Sequence, residues 1–287
     1  MKQYYNQIQI FSPKPFVKWA GGKRQLIPQI EKQLPEKFSS YFEPFLGGGA
    51  LLFHLLSKNK NLKGYVSDLN SDLILSYITI RDNLESLLKS LQKHSDNYFS
   101  SSKSYYYSVR ESNPKSQIEK VSRLLFLNRT CFNGLYRVNS KGKFNVPLGR
   151  YSHPNIIQEE NLTSVNHFLN KSKIMIKCQD FSSTVEKAKK GDFVYFDPPY
   201  QPISKTANFT SYTNGNFGIN DLKRLAKVSN ELAKKGVNVL LSNSSSKQVR
   251  DLFSDNRWEI IRIEANRAIN SASDKRTGHF ELLIKNY

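Results

Sequence analysis

"YFEPFLGGGALLFHLLS" (residues 41–57) carries the first decision about the fold. Tyr41 to Glu43 suit a short strand, three glycines turn the chain, and "ALLFHLLS" has the makeup of a helix. A glycine turn between strand and helix lets a ligand approach the backbone and exposes the helix N-terminus. The turn is neither a Walker A loop nor the fingerprint G-x-G-x-x-G. A second short strand, "KGYVSDLN" (63–70), ends in Asp68, 19 residues after Gly49. An acid at about that distance holds the ribose hydroxyls in dinucleotide-binding sheets. Together the two features point to an adenosine-containing ligand. They also fit an ordinary βα turn followed by a capping aspartate.

Working outward, "SDLILSYITIRDNLESLLKSL" (71–91) has helical apolar spacing, with Asn70 or Ser71 as its cap. Apolar runs recur late in the chain. "KIMIKC" (173–178), "DFVYFD" (192–197) and "VNVLLS" (237–242) predict buried parallel strands. "NDLKRLAKVSNELAKKG" (220–236) predicts a helix capped by Asn220 and stopped by Gly236. "RWEIIRIEA" (257–265) and "HFELLIKN" (279–286) predict an antiparallel pair at the sheet edge. The alternation implies an open α/β sheet of Rossmann-like type, assembled from 1–75 and 165–287. The tyrosine-rich, basic stretch 76–164 is expected as an inserted domain.

Charge sets the partner class. The 287 residues hold 43 Lys+Arg against 24 Asp+Glu, a formal charge of +19, which predicts a polyanionic partner such as nucleic acid. Within the basic stretch, "NRTCFNGLYRVNSKGKFNVPLGRY" (128–151) has Arg129, Arg137, Lys141, Lys143 and Arg150 and no acid. "NSKGK" (139–143) is a hairpin-turn signal. Phe132, Tyr136, Phe144 and Tyr151 interleave with the cations, which favours a nucleic-acid-binding hairpin over an ordinary solvated one. No window is long and apolar enough for a transmembrane helix, and no signal-peptide core is visible. Two cysteines, Cys131 and Cys178, make neither a disulfide framework nor a zinc cluster, so a reducing cytoplasm is expected. His54, His94, His153, His167 and His279 lack metal-ligand spacing, so no metal is expected. Neither cysteine sits in a Pro-Cys pair of the kind cytosine C5 methylation uses.

The chemistry is concentrated in "VYFDPPY" (194–200). Two prolines stop the strand and stiffen the chain beyond it. Asp197 thereby falls at the carboxyl end of a buried strand, where open α/β sheets bind ligands. Asp197 can accept from an amino group, the Pro198 carbonyl can accept a second hydrogen, and Tyr200 can stack on a flat base. Pro199 helps hold the corner rigid. Upstream, "KPFVKWAGGKRQL" (14–26) places Trp19 and Lys23 around a glycine pair, able to stack on and pair with a ligand carrying a carboxylate. A surface turn with one packed tryptophan fits that stretch equally.

The chain resembles the Dam-like DNA adenine-N6 methyltransferases, the GATC-specific D12 class of amino-methyltransferases. The resemblance rests on "KWAGGK" (18–23), "EPFLGGG" (43–49), "SDLNSDLI" (67–74), "NGLYRVNSKGKFNVPLGRY" (133–151), "DPPY" (197–200) and "TANFTSYT" (206–213), in that order over nearly the whole chain. It implies a sheet that binds S-adenosylmethionine and an inserted, mostly helical recognition domain whose hairpin spans 131–151. Cofactor positions carry over onto Trp19, Lys23, Asp68 and Asp197, with Phe45 and the Gly47–Gly49 turn beside them. Asp180 and Phe181 resemble the pocket for the cofactor's adenine ring. The resemblance further implies a flipped adenine stacked on Tyr200, its amine held by Asp197 and Pro198 and methylated by direct displacement, without metal or covalent intermediate.

For DNA, Lys18 and Arg137 match guanine-reading positions, and Leu135 and Pro147 match contacts to a thymine methyl. Asn133 matches a residue near the unpaired thymine, and Asn139 and Arg150 complete the expected DNA-binding set. Phe132 stands where one branch of the family has tyrosine. The loop 201–218 is expected to fold over the flipped base. A bacterial or phage enzyme is implied, monomeric or weakly dimeric, acting alone or beside a restriction endonuclease on the same site. A cytosine-N4 methyltransferase, or a DNA-binding protein that kept the fold without the chemistry, are the alternatives; the Asp at 197 and the intact motifs argue against each.

Overall fold

The computed structural model describes residues 11–139, 141–200, 217–265 and 279–287. These described residues form two compact units: those within 21–47, 62–70, 174–200, 217–265 and 279–287 in one, and those within 11–20, 48–61, 71–139 and 141–173 in the other. The expected borders at 75 and 165 followed the change in charge and tyrosine content. The second unit takes in 11–20, 48–61 and the flanks 71–75 and 165–173 besides the expected insert.

The first unit is built on seven strands: β1 (Tyr41–Glu43), β2 (Lys63–Asp68), β3 (Lys173–Cys178), β4 (Phe193–Phe196), β5 (Asn238–Ser244), β6 (Glu259–Ala265) and β7 (His279–Lys285). Their order is β3-β2-β1-β4-β5-β7-β6. β1 runs parallel to β2 and to β4, and β4 parallel to β5. Through β5 this is the doubly wound nucleotide-binding order, with its switch point between β1 and β4.

β4 and β5 are buried as their apolar runs predict. β3 is not. It lies at the sheet edge with Lys173, Met175 and Lys177 exposed, so "KIMIKC" is an alternating edge strand guarded by lysines. The late pair is antiparallel, but β7 inserts between β5 and β6, which leaves only β6 at the edge.

Of the helices, α1 (Ile27–Glu31) lies in the sheet unit, and α2 (Ala50–Lys58), α3 (Ser71–Asp82), α4 (Leu84–Ser100), α5 (Ser102–Glu111), α6 (Gln117–Thr130) and α7 (Glu159–Lys171) lie in the second unit. α8 (Phe181–Val185), α9 (Ile219–Lys234) and α10 (Lys247–Leu252) return to the sheet unit. α9 is capped not by Asn220 but by Gly218, whose N–H donates to Asp221 at 3.0 Å. Its buried Leu222, Leu225 and Leu232 join Val194, Phe196, Val239 and Leu241 in one core.

The helical unit has its own core. Phe16 packs edge-on to Tyr77 at 4.7 Å, and Tyr77 stacks with Phe53. Phe126 is ringed by His94, Tyr98, Tyr105 and Tyr106. Between α6 and α7 the expected hairpin is present, but only as isolated antiparallel bridges, Cys131–Leu148 and Val138–Phe144. The turn at 139–143 closes with Asn139 N–H donating to the Lys143 carbonyl at 2.8 Å. No helix among the described residues is long and apolar enough to cross a membrane.

Candidate active site

Parallel strands place their carboxyl ends along one edge. Phe42 pairs with Val194 in β4 and Glu43 with Val66 in β2, so the chain leaving β1, β2 and β4 emerges at neighbouring points. The expected residues of the sheet unit gather there.

β4 is buried along its whole length and hands the chain to Asp197. Pro198 is buried and Pro199 exposed, which holds the corner against the sheet. Asp197 Oδ1 lies 2.7 Å from Lys23 Nζ, with Lys23 5% and Asp197 18% exposed. Lys23 also donates to the Gly21 carbonyl at 2.8 Å, which leaves one ammonium hydrogen for an incoming acceptor. Its Nζ lies 4.7 Å from the centre of the Tyr200 ring. The Tyr200 hydroxyl donates to Glu281 Oε2 at 2.6 Å, and Glu281 stands 3.9 Å from Lys23.

Burial pushes the Asp197 carboxyl up to about 6; Lys23 opposes the rise and Glu281 adds to it. Burial likewise holds the Tyr200 hydroxyl well above the usual phenol range, with the charges of Asp197 and Glu281 in the same direction. The phenol therefore stays a donor. Asp197 Oδ2 has no hydrogen-bond partner among the described residues.

The glycine turn is tied to β2. Gly47 N–H donates to Asp68 Oδ2 at 2.9 Å and Asn70 N–H to Oδ1 at 2.9 Å. Gly47 has φ 49°, a left-handed conformation that only glycine adopts at little cost. Burial raises the Asp68 carboxyl, against the pull of these backbone donors. With Leu69 as a third backbone donor, the carboxylate keeps acceptor capacity for one ribose hydroxyl.

Phe45 stacks on Phe181 with ring centres 5.4 Å apart and meets Phe217 edge-on. Asp180 caps α8 through Ser182 N–H at 3.0 Å and is gripped by both terminal nitrogens of Arg224, at 2.9 and 2.8 Å. Arg224 in turn lies 4.2 Å over the Phe181 ring. Asp180 thus has Ser182 and Arg224 as partners, and Phe181 contacts both Phe45 and Arg224.

The remaining expected cofactor residues, Trp19 and Gly49, belong to the helical unit, where Trp19 lies against Tyr136 with ring centres 5.2 Å apart. All expected DNA-contacting residues also belong there. Asn128 organises them. Its Oδ1 accepts the Lys18 N–H at 2.8 Å, and its Nδ2 donates to the carbonyls of Lys18 and Gly134, both at 2.9 Å. Lys18 is exposed, bonded to the Tyr151 hydroxyl at 3.2 Å and lying over its ring.

Gly134 has φ +65°, and a Cβ there would sit 2.2 Å from Lys18 Cδ. Phe132 is 48% exposed, as a wedge must be. Asn133, beside it, adopts φ 55°. Arg137 Nε donates to Asn145 Oδ1 at 2.7 Å. Pro147 is exposed and its carbonyl accepts the Phe132 N–H; Leu135 is half-buried and Arg150 exposed. Asn139 is exposed at the turn. Its Oδ1 accepts the N–H groups of Lys141 and Lys143, so its carbonyl builds the turn. Residues 201–216 of the expected lid (201–218), with the segment 206–213, lie outside the described residues.

Sequence reasoning missed Glu281, Arg224 and Asn128. A lone acid in the apolar run "HFELLIK" was the available signal for Glu281.

A doubly wound sheet with a tethered glycine turn, an acid after β2 and an acid–proline–aromatic corner after β4 defines an S-adenosylmethionine-dependent methyltransferase. Residues 19–269 match the family described as D12 class N6 adenine-specific DNA methyltransferase, and the chain belongs to that family. It is 44% identical over 280 residues to the Type II methyltransferase M1.LlaDCHI of Lactococcus lactis, covering 96% of this chain and 95% of that one. It is 44% identical over 291 residues to the Type II methyltransferase M.MjaIII of Methanocaldococcus jannaschii, covering 96% and 99%. The DNA adenine methylase of Escherichia coli K12 is 30% identical over 279 residues, covering 95% of each chain. The protein is thus an adenine-specific DNA methyltransferase with S-adenosylmethionine as methyl donor.

Proposed function

We propose that the enzyme methylates adenine N6 within duplex GATC and takes the target base out of the helix to do so. The corner after β4 carries the adenine-amine target, and the resemblance of Lys18, Leu135, Arg137 and Pro147 to the family's recognition positions supports GATC. The corner offers one partnerless carboxylate oxygen on Asp197, a proline-fixed carbonyl and the Tyr200 ring, which together match the two hydrogens and the flat face of an adenine amine. A base paired inside a duplex cannot reach such a corner, so extrusion is required.

Asp197 Oδ2 and the Pro198 carbonyl accept the two N6 hydrogens. That draws the nitrogen lone pair out of ring conjugation and aims it. S-adenosylmethionine supplies an electrophilic methyl group on its sulfonium. Lys23 would hold its carboxylate with the remaining ammonium hydrogen, Asp68 its ribose, and Phe45 and Phe181 its adenine ring. The residues contribute by positioning and fixed electrostatics rather than by covalent chemistry.

The sheet unit is assigned the chemistry and the helical unit the sequence. Lys18 and Arg137 read guanine, Leu135 and Pro147 touch a thymine methyl, Phe132 wedges the stack near Asn133, and Arg150 adds charge. Asn139, whose Oδ1 braces the hairpin turn, completes the DNA-binding set. The names of the relatives from L. lactis and M. jannaschii support a role as the modification half of a restriction–modification pair.

The test is transfer of a labelled methyl group to three duplexes containing GATC, GTTC and pre-methylated GATC. Label confined to the adenine of the first supports the assignment. Equal labelling of all three, or label on cytosine, refutes it.

A further inference from the structure

Glu281 lies on β7, the strand inserted between β5 and β6, opposite Ser244 on one side and Ile263 on the other. Its neighbours Leu282, Leu283 and Ile284 are buried. Its own side chain is 17% exposed. A carboxylate in such a place costs desolvation energy and persists only where polar partners compensate it. Two do: the Tyr200 hydroxyl at 2.6 Å and, further off, the Lys23 ammonium at 3.9 Å. No motif of the family reading includes Glu281. Yet it reaches the Tyr200 end of the corner, while Asp197 anchors the opposite side of Lys23.

Tyr200 follows two prolines, which fix the backbone on its N-terminal side but leave its ring free to turn about two side-chain bonds. A stacking platform must hold one face toward the base. Resting on the stacking role proposed above, we propose that Glu281 is a positioning residue that clamps the Tyr200 hydroxyl and so fixes the ring as the platform for the target adenine. Lys23, over the same ring at 4.7 Å, closes the arrangement from the side of Asp197. The raised phenol keeps the proton on Tyr200, so the hydroxyl stays a donor to Glu281.

Single-turnover methylation separates this role from a merely structural one. Wild type is compared with Glu281→Ala, Glu281→Gln, Tyr200→Phe and the Tyr200→Phe/Glu281→Ala double variant, with S-adenosylmethionine affinity measured alongside. A platform loosened by an ångström slows transfer on the order of 10- to 100-fold, the loss expected for Glu281→Ala. Glu281→Gln keeps an acceptor for the hydroxyl and stays within about threefold of wild type. The double variant is no slower than Glu281→Ala, because both changes remove one bond. Cofactor affinity is unchanged throughout.

Multiplying losses in the double variant would overturn the proposal. So would a Gln variant as slow as the Ala variant, or cofactor affinity falling in step with rate. The comparison is run on whichever adenine the wild-type enzyme labels, so an error in the GATC assignment leaves it standing.

Discussion

Replacing Lys23 with methionine tests what the buried ion pair does for the chemistry. Asp197 must be ionised to accept from an amine, and its carboxyl sits at about 6 because burial raises it while Lys23, 2.7 Å away, pulls it back. At pH 7 about 90% of wild-type molecules therefore carry the ionised form. An opposite charge in direct contact lowers a carboxyl by about one to three pH units, so its removal lifts Asp197 to about 7–9.

Glu281 reinforces the rise by repulsion, and Tyr41, Tyr195 and Tyr200 stay protonated beside it. With a midpoint near the centre of that range, only about a tenth of the molecules are ionised at pH 7, a roughly tenfold loss of rate recovered by raising the pH. The assay is single-turnover methylation from pH 5 to 9.5 at saturating S-adenosylmethionine, which removes any loss of cofactor affinity from the comparison. Wild-type activity should fall as pH drops through about 6, and the midpoint should move alkaline in Lys23→Met. An unmoved midpoint with a uniform loss at every pH would refute the electrostatic role and leave Lys23 as a cofactor contact alone.

Two further outcomes concern recognition. Arg137→Ala should relax discrimination at one guanine and cost ~1–3 kcal/mol of binding there; a competition series over single-base variants of the site reads this, and an equal loss on every sequence would make Arg137 a phosphate contact. Gly134→Ala should destabilise by about 1–2 kcal/mol because the left-handed backbone penalises a side chain. It should also weaken guanine discrimination, since the new Cβ falls 2.2 Å from Lys18 Cδ. Thermal melting and the same competition series check it, and an unaltered protein would show that Lys18 swings clear.

Local physics made much of the enzyme legible from sequence. "DFVYFD" and "VNVLLS" read as buried strands because no polar residue interrupts their strand-forming runs beyond single positions. Their burial follows directly. Gly47 to Gly49 and Asp68 read as a linked pair because strand, turn and helix are contiguous, and the hydrogen bond from Gly47 N–H to Asp68 closes over a short span. "KIMIKC" misled because an apolar run does not say whether a neighbour lies on both sides; the exposed lysines belong to an edge. The hairpin signal located the turn, but alternation too weak to pair whole strands yielded only isolated bridges.

What the sequence determined by itself was the set of local pieces and the chemistry each could carry: an acid stiffened by prolines, a glycine turn, a basic aromatic hairpin. Propensity and patterning act over a few residues, so these pieces declare themselves wherever they stand. Only the tertiary structure decided which pieces share a site. Lys23 precedes every strand and Glu281 lies on the last, yet both reach the ring of Tyr200 because β7 folds back beside β5. Asn128 likewise joins Lys18 to Gly134 across most of a helical unit. Such meetings are fixed by how apolar faces stack and how strands order in the sheet, and no local pattern records them.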